Sequence, residues 1–229
     1  DSDGAFDPTI GKLIRLWDIG GEDQRIPGED EIRNVLKDSG YEKVSLAGNS
    51  ISMDEGCSLD LGAAGKGIGC DSVREYLETQ KDVTAALMNL GGSSVMTYGS
   101  KPDGSSWNVA VTDPRAENDD DYLGVVALNG TEFLSTSGDY EKYFMQDGKR
   151  YHHILDPSTG YPADSGLISV TIVSDSGLLS DGLSTACFVL GKEKGEKLLE
   201  TYGAEGVFID QNKKVTVTKG LKDKFTILN

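Results

Sequence analysis

The chain has 229 residues, 37% of them apolar, and its 22 basic and 38 acidic side chains leave a net charge of −16. That length is ample for a hydrophobic core, while so acidic a surface repels phosphate backbones and anionic lipid, which argues against a nucleic-acid partner. No run of roughly 18 apolar residues is available to span a membrane, and an anionic ligand would need local cations, backbone N–H groups or a metal to overcome the field.

The opening DSDGAFDP lacks the basic, apolar and small-residue order of a signal peptide and reads as the middle of something, so a processed or trimmed amino terminus is expected. In PTIGKLIRLWDIG the apolar residues at 10, 13, 14 and 17 repeat with a helical period closed by Gly20 and Gly21. GEDEIRNVLKDSG reads as a second helix, with acids in its first turn and Gly40 after it. KVSLAGNSISM reads as two short strands around Gly48 and Asn49. DSVREYLETQ is an amphipathic helix and TAALMNLGG a buried strand. SWNVAVTDP and LGVVALNGTEFLSTS alternate as antiparallel strands do, and LISVTIVSDS is a further strand. SDGLSTACFVLG is an apolar helix entered through Ser180 and Asp181. GEKLLETYG, EGVFID, KVTVTKG and FTIL complete the order as helix, strand, strand and strand. Helices and strands mix without strict βαβ alternation, so the expected class is α+β, as one domain over residues 1–229. The acidic ENDDDY at 117–122 is expected to be a solvated loop. Cys57, Cys70 and Cys187 show no metal or redox spacing and read as small buried apolar residues.

Both histidines stand side by side in YHHILDPSTGYP, residues 151–162, ahead of an Asp-Pro step and a Thr-Gly-Tyr-Pro turn. Histidine exchanges protons near neutral pH, and such a turn fixes the backbone around it. The stretch is therefore either a proton-transfer site or two adjacent core residues. SLDLGAAGKGIGCD (58–71) is either a tight turn or a loop whose backbone approaches a ligand, with Lys66 as a cation and Asp60 accepting from a ribose or base. It is not a P-loop, because Gly67 follows Lys66. MNLGGSS (88–94) reads as a strand and a glycine turn, and STSGDYEKYF (135–144) as a helix cap through Ser137 or Asp139. Asp181, Ser184 and Thr185 share one face of a helix. Their oxygens suit a hard cation such as Mg²⁺, with capping and satisfied hydroxyls as the equal alternative.

Taken together, GAFDPTIGKLIRLW, LDLGAAGKGIGCD, LMNLGG, STSGDYEKYF, YHHILDPSTGYP and SVTIVSDSGLLSDGLSTACFVLG resemble, in order, the motifs of the ApbE family, the FAD:protein FMN transferases. The resemblance covers almost the whole chain from residue 4 and implies a single α+β domain with mixed or antiparallel sheets and flanking helices. It also implies Mg²⁺-dependent transfer of FMN from FAD to a threonine or serine hydroxyl of an acceptor protein, with release of AMP. On the matching positions, Asp181, Ser184 and Thr185 would hold the metal together with the backbone carbonyl of Ala63. Ala5, Phe6, Asp7, Asp60, Lys66 and Leu155 would contact the flavin nucleotide. His153, directly before the hydrophobics of ILDP, would transfer the proton, leaving His152 a structural residue. A free histidine titrates near ~6.5, and transfer is expected to rise with pH through the pKa of His153, which a metal would lower and Asp156 would raise. The family normally carries a further segment before GAFDP, so either a trim or a shortened relative with a more open FAD site is expected. It is usually exported and often lipid-anchored, which makes an extracytoplasmic origin the expectation. Two rivals are a Mg²⁺-dependent FAD pyrophosphatase and a non-catalytic FAD-binding protein. No Asp-Gly-x-Ser/Thr-Gly-Ala-Thr stretch occurs, so the acceptor is expected to be a separate protein.

Overall fold

The computed structural model describes residues 1–118 and 121–228, so Asp119 and Asp120 of the acidic loop, with Asn229, lie outside the account that follows. The chain runs through α1 (Gly11–Trp17), α2 (Glu29–Leu36), β1 (Val44–Ala47), β2 (Ser50–Met53), α3 (Gly65–Glu78), β3 (Ala85–Leu90), β4 (Ser94–Gly99), β5 (Trp107–Thr112), β6 (Tyr122–Leu128) and β7 (Glu132–Gly138). It continues through β8 (Tyr143–Gln146), β9 (Lys149–His152), β10 (Leu167–Ser174), α4 (Gly177–Leu190), α5 (Lys192–Tyr202), β11 (Glu205–Asp210), β12 (Val215–Val217) and β13 (Phe225–Ile227).

A six-stranded sheet in the order β12-β11-β10-β7-β4-β3 forms the centre, and every pairing in it is antiparallel. The α+β expectation holds. On one face, Val170 and Ile172 of β10 pack with Leu183, Phe188 and Leu199 of the helices. On the other, Ile168 and Val173 pack with Val109, Val111 and Val126 of a three-stranded sheet ordered β13-β6-β5. Strand β10 is therefore buried along its whole length, which is why its apolar residues fall on both faces and its Ser169 and Thr171 are buried with them.

Three expectations need correction. TAALMNLGG is not a buried strand: β3 is an edge, and Leu87 is 52% exposed. STSGDYEKYF caps no helix; it finishes β7, turns, and enters the β8–β9 hairpin. Helix α4 is not entered through Ser180 and Asp181 but one turn earlier, at Ser176, whose hydroxyl accepts from the Leu179 amide. The Asp71 carboxylate meanwhile accepts from the amides of Gly177 and Leu178. Of the cysteines, Cys70 and Cys187 are buried and Cys57 is half-buried, all three free. Burial pushes the Cys70 thiol up to about 11 and the Cys187 thiol up to about 12, as inert core residues behave.

What the fold does for function is bring helices α3 and α4 into backbone contact. A Cβ on Gly67 would meet the Gly177 carbonyl oxygen at 2.0 Å, and one on Gly177 would meet the Gly67 oxygen at 2.2 Å. Only glycine at both places permits that crossing. It also explains why α3 starts at Gly65, inside the glycine-rich stretch and six residues before the amphipathic DSVREYLETQ: packing overrides glycine's poor helix propensity.

Candidate active site

A cavity of about 390 Å³ opens between GAFDP, the 60–66 segment, the end of β7, the 153–157 segment and α4. It is lined by Ala5, Phe6, Asp7, Asp60, Ala63, Lys66, His153, Leu155, Asp181 and Thr185. These are ten of the eleven site residues named from the sequence. The exception is Ser184, which is buried and donates to the Asp181 carbonyl one turn back in its own helix.

Local chemistry fixes the walls. Asp7 Oδ1 accepts from both the amide and the hydroxyl of Thr9, and its Oδ2 accepts from the Tyr41 amide, so this carboxylate shapes the GAFDP loop. The Asp60 amide donates to the Pro8 carbonyl, which ties the two loops together, and Asp60 Oδ1 accepts from the Gly62 amide. Phe6 lies over Gly182 of α4, where a side chain would begin 3.7 Å from its ring. Ala5 and Leu155 are buried and give the cavity backbone and shape. Lys66 reaches across the Gly91-Gly92 turn to donate to Ser93 Oγ, so the two glycine stretches meet at one cation.

Asp181 is only 9% exposed. Its Oδ2 accepts from the Gly67 amide and its Oδ1 from the Ser94 hydroxyl, each at 2.8 Å. Among the described residues no lysine or arginine lies within ion-pair distance of it. Because the Gly67 N–H turns to Asp181, the Ala63 carbonyl, its ordinary helical partner, receives no such bond. Thr185 is prepared in a comparable way. Ser184 gives its one proton to the Asp181 carbonyl, so Ser137 must donate to Ser184 at 2.7 Å. Thr185 must then donate to Ser137 at 3.2 Å, which leaves its oxygen lone pairs free. A buried carboxylate held by neutral donors, a free carbonyl and a free hydroxyl oxygen are the donor set of a hard cation. No group of three or more His, Cys, Asp or Glu suited to a metal occurs among the described residues, so substrate or water oxygens would complete any such shell.

The adjacent histidines separate cleanly. His152 is buried edge-on against Phe188; its Nε2 donates to the Ala163 carbonyl at 3.1 Å and its Nδ1 has no partner among the described residues. His153 lines the cavity, with Nδ1 3.3 Å from the Lys142 carbonyl. A carbonyl only accepts, so Nδ1 carries the proton and Nε2 keeps the lone pair of a base. The ring is solvent-exposed on its outer side and faces the cavity wall on the other. Desolvation, with smaller contributions from His152, Lys142 and Lys66, pulls its pKa down to about 4. The counter-effect expected from Asp156 is absent from the influences on this ring; that carboxylate accepts from the amide and hydroxyl of Ser158 inside the turn. The turn itself is pinned by Trp17, whose ring N–H donates to the Gly160 carbonyl at 2.8 Å and which packs against Tyr151 and Tyr161.

Sequence reasoning missed Ser94 and the ligand-side role of Ser137. The available signal was a match of spacings. Ser135 and Ser137, two apart on β7, face Ser180 and Ser184, four apart on α4. Two strand residues and four helical residues both advance about 6–7 Å. A larger cavity, about 590 Å³, lies beyond the 151–163 segment, but its chemistry is self-contained. There Arg115 donates twice to Asp139, at 2.7 Å each, with Arg150 3.5 Å from the same carboxylate.

The ApbE family profile matches residues 1–208. The chain is 36% identical over 244 residues to the FAD:protein FMN transferase of Treponema pallidum (strain Nichols), covering 100% of this chain and 67% of that protein. It is 38% identical over 231 residues to that of Klebsiella pneumoniae (strain 342), covering 99% of this chain and 70% of that one. Its fold superposes on the crystal structure of the ApbE protein from Thermotoga maritima with a TM-score of 0.88 at 36% identity, over 97% of this chain and 72% of that one. For the apo flavinyl transferase ApbE of Pseudomonas stutzeri the TM-score is 0.82 at 36% identity, over 97% and 70%. Sequence and fold thus agree along nearly the whole chain, which belongs to the ApbE family.

Proposed function

We propose that this chain transfers FMN from FAD to a threonine or serine hydroxyl of an acceptor protein, releasing AMP, with Mg²⁺ bound at Asp181, Thr185 and the Ala63 carbonyl. The observation that carries the reading is the buried Asp181 carboxylate, held by uncharged donors in the same cavity as Lys66 and the free Nε2 of His153. A hard cation bound there would neutralise charge on the diphosphate oxygens as it develops. The chain's own groups do the rest. Phe6 and the apolar wall seat the flavin nucleotide, and Lys66 supplies a positive charge for its phosphates. Nε2 of His153 accepts the proton of the acceptor hydroxyl as its oxygen attacks the FMN-side phosphorus. The bond from that phosphorus to the bridging oxygen breaks, and AMP leaves with that oxygen. An extracytoplasmic setting is proposed with this activity, on the family resemblance alone.

The test is incubation of the chain with FAD, Mg²⁺ and a candidate acceptor protein, followed by mass spectrometry. A covalent FMN adduct on a threonine or serine, with one AMP per adduct, is the expected result. Free FMN and AMP formed equally fast without acceptor would make water the nucleophile, and FAD binding with no AMP at all would remove the catalytic reading.

A further inference from the structure

We infer that Ser94 is a positioning residue for the Asp181 carboxylate, setting its metal affinity without touching metal or substrate; the inference rests on the metal reading of Asp181. Ser94 opens β4 next to the Gly91-Gly92 turn and is 1% exposed, so it does not reach the cavity. Its hydroxyl donates to Asp181 Oδ1 at 2.8 Å, while the Gly67 amide holds Oδ2 at the same distance.

The terminal torsion of an aspartate is soft, and a carboxylate on a helix can sweep through a broad range of orientations. Here two donors from two other elements, α3 and β4, each hold one oxygen of a residue on α4. Three elements therefore fix one carboxylate plane. Each oxygen still has a lone pair left, so the arrangement orients the group without closing it to a cation. The amide half of this clamp is backbone and survives any side-chain change; the hydroxyl half is Ser94 alone. Without it Oδ1 is unpaired and the plane is free to turn about the remaining bond. Supporting groups of this kind typically set about 10–100-fold in metal affinity.

A control for mere structural loss lies one strand away. Ser135 is also 1% exposed and also bonds a residue of α4, Ser180 Oγ at 2.9 Å, but it does not touch Asp181. Calorimetric titration of Mg²⁺ into the chain, alongside thermal unfolding, should be run on the wild type, Ser94→Ala, Ser135→Ala and Asp181→Asn. Ser94→Ala should bind Mg²⁺ about 10–100-fold more weakly while Ser135→Ala binds as the wild type does. Equal affinity in Ser94→Ala, or equal weakening in Ser135→Ala, overturns the positioning role while leaving Asp181 as a ligand. An Asp181→Asn protein that binds like the wild type, or a wild type that takes up no Mg²⁺, removes the metal reading itself and the inference with it.

Discussion

Asp181 and His153 reach the same cavity from two differently built walls. Asp181 stands where α3 and α4 touch backbone to backbone, and its orientation comes from an amide and a buried hydroxyl. His153 stands at the end of a hairpin strand, before a turn clamped by aromatic rings, and its orientation comes from a carbonyl that selects one tautomer. The first wall holds a carboxylate by two hydrogen bonds at a sterically fixed helix crossing, and the second holds an imidazole by a single, long one. Changes at the first should therefore damage geometry, and changes at the second should damage proton transfer while geometry survives.

The largest expected effect is at Asp181. Asp181→Asn keeps an acceptor for one of the two donors, so the fold should persist, while AMP release should fall by at least about 10³-fold. Unchanged Mg²⁺ dependence of AMP release in that variant would sink the assignment. At the other wall, His153→Ala should lose about 10²–10⁴ in transfer, with FAD and Mg²⁺ still bound. His152→Ala should instead lower stability, because it empties a buried site against Phe188, and leave the rate per folded molecule nearly intact. The reverse order, with both variants folded and FAD-bound, would show that the wrong histidine has been given the base's role.

The helix crossing separates two glycines of the same turn. Gly67→Ala must push α3 from α4 and should cost about 1–3 kcal/mol, a drop of a few degrees in the unfolding midpoint, with weaker Mg²⁺ dependence. Gly65→Ala, where a side chain would meet nothing within 4 Å, should be tolerated. Equal midpoints for the two would refute the steric argument. The smallest effect concerns pH. With the His153 pKa at about 4, its base form is already complete in mildly acidic solution. Transfer should therefore stay flat between about pH 5.5 and 8, rather than rising through the free value near ~6.5. The sign for stability follows: the unfolded imidazole takes up a proton that the folded one refuses. This group's contribution is full above roughly 6.5 and is lost as pH falls toward 4. A tenfold climb in transfer between about pH 5.5 and 7.5, carried by His153, would contradict the depressed pKa.

Much of this was readable from residue order alone, where one periodicity dominates. Residues 10, 13, 14 and 17 announce α1 because Leu13 and Trp17 form its buried stripe, and β10 announces itself because both its faces are covered. The β8–β9 hairpin was hidden: Tyr143 and Phe144 point to opposite faces, and Phe144 stacks on Tyr151 of its partner strand, so no clean alternation shows. Ten of the eleven site residues share one cavity because they were carried by motif, yet the residues that support them were illegible. Ser137 carried only the spacing it shares with Ser184, and a serine such as Ser94 has no distinguishing sequence environment. Its meaning lies in what stands opposite it across β7 and α4, and that is settled by packing.

The contact between Gly67 and Gly177 also constrains how this protein can evolve. At each position the obstacle to a larger residue is the other position's main chain, so substituting the partner offers no relief. No order of single replacements relieves the clash, since either first step meets a main-chain carbonyl of the other helix. Loops, charges and rim residues can drift one codon at a time, but changing this contact means moving a whole helix in one event. The distance from the Gly67 turn to Asp181 is thus set by main chain on both sides, out of reach of any single side-chain change.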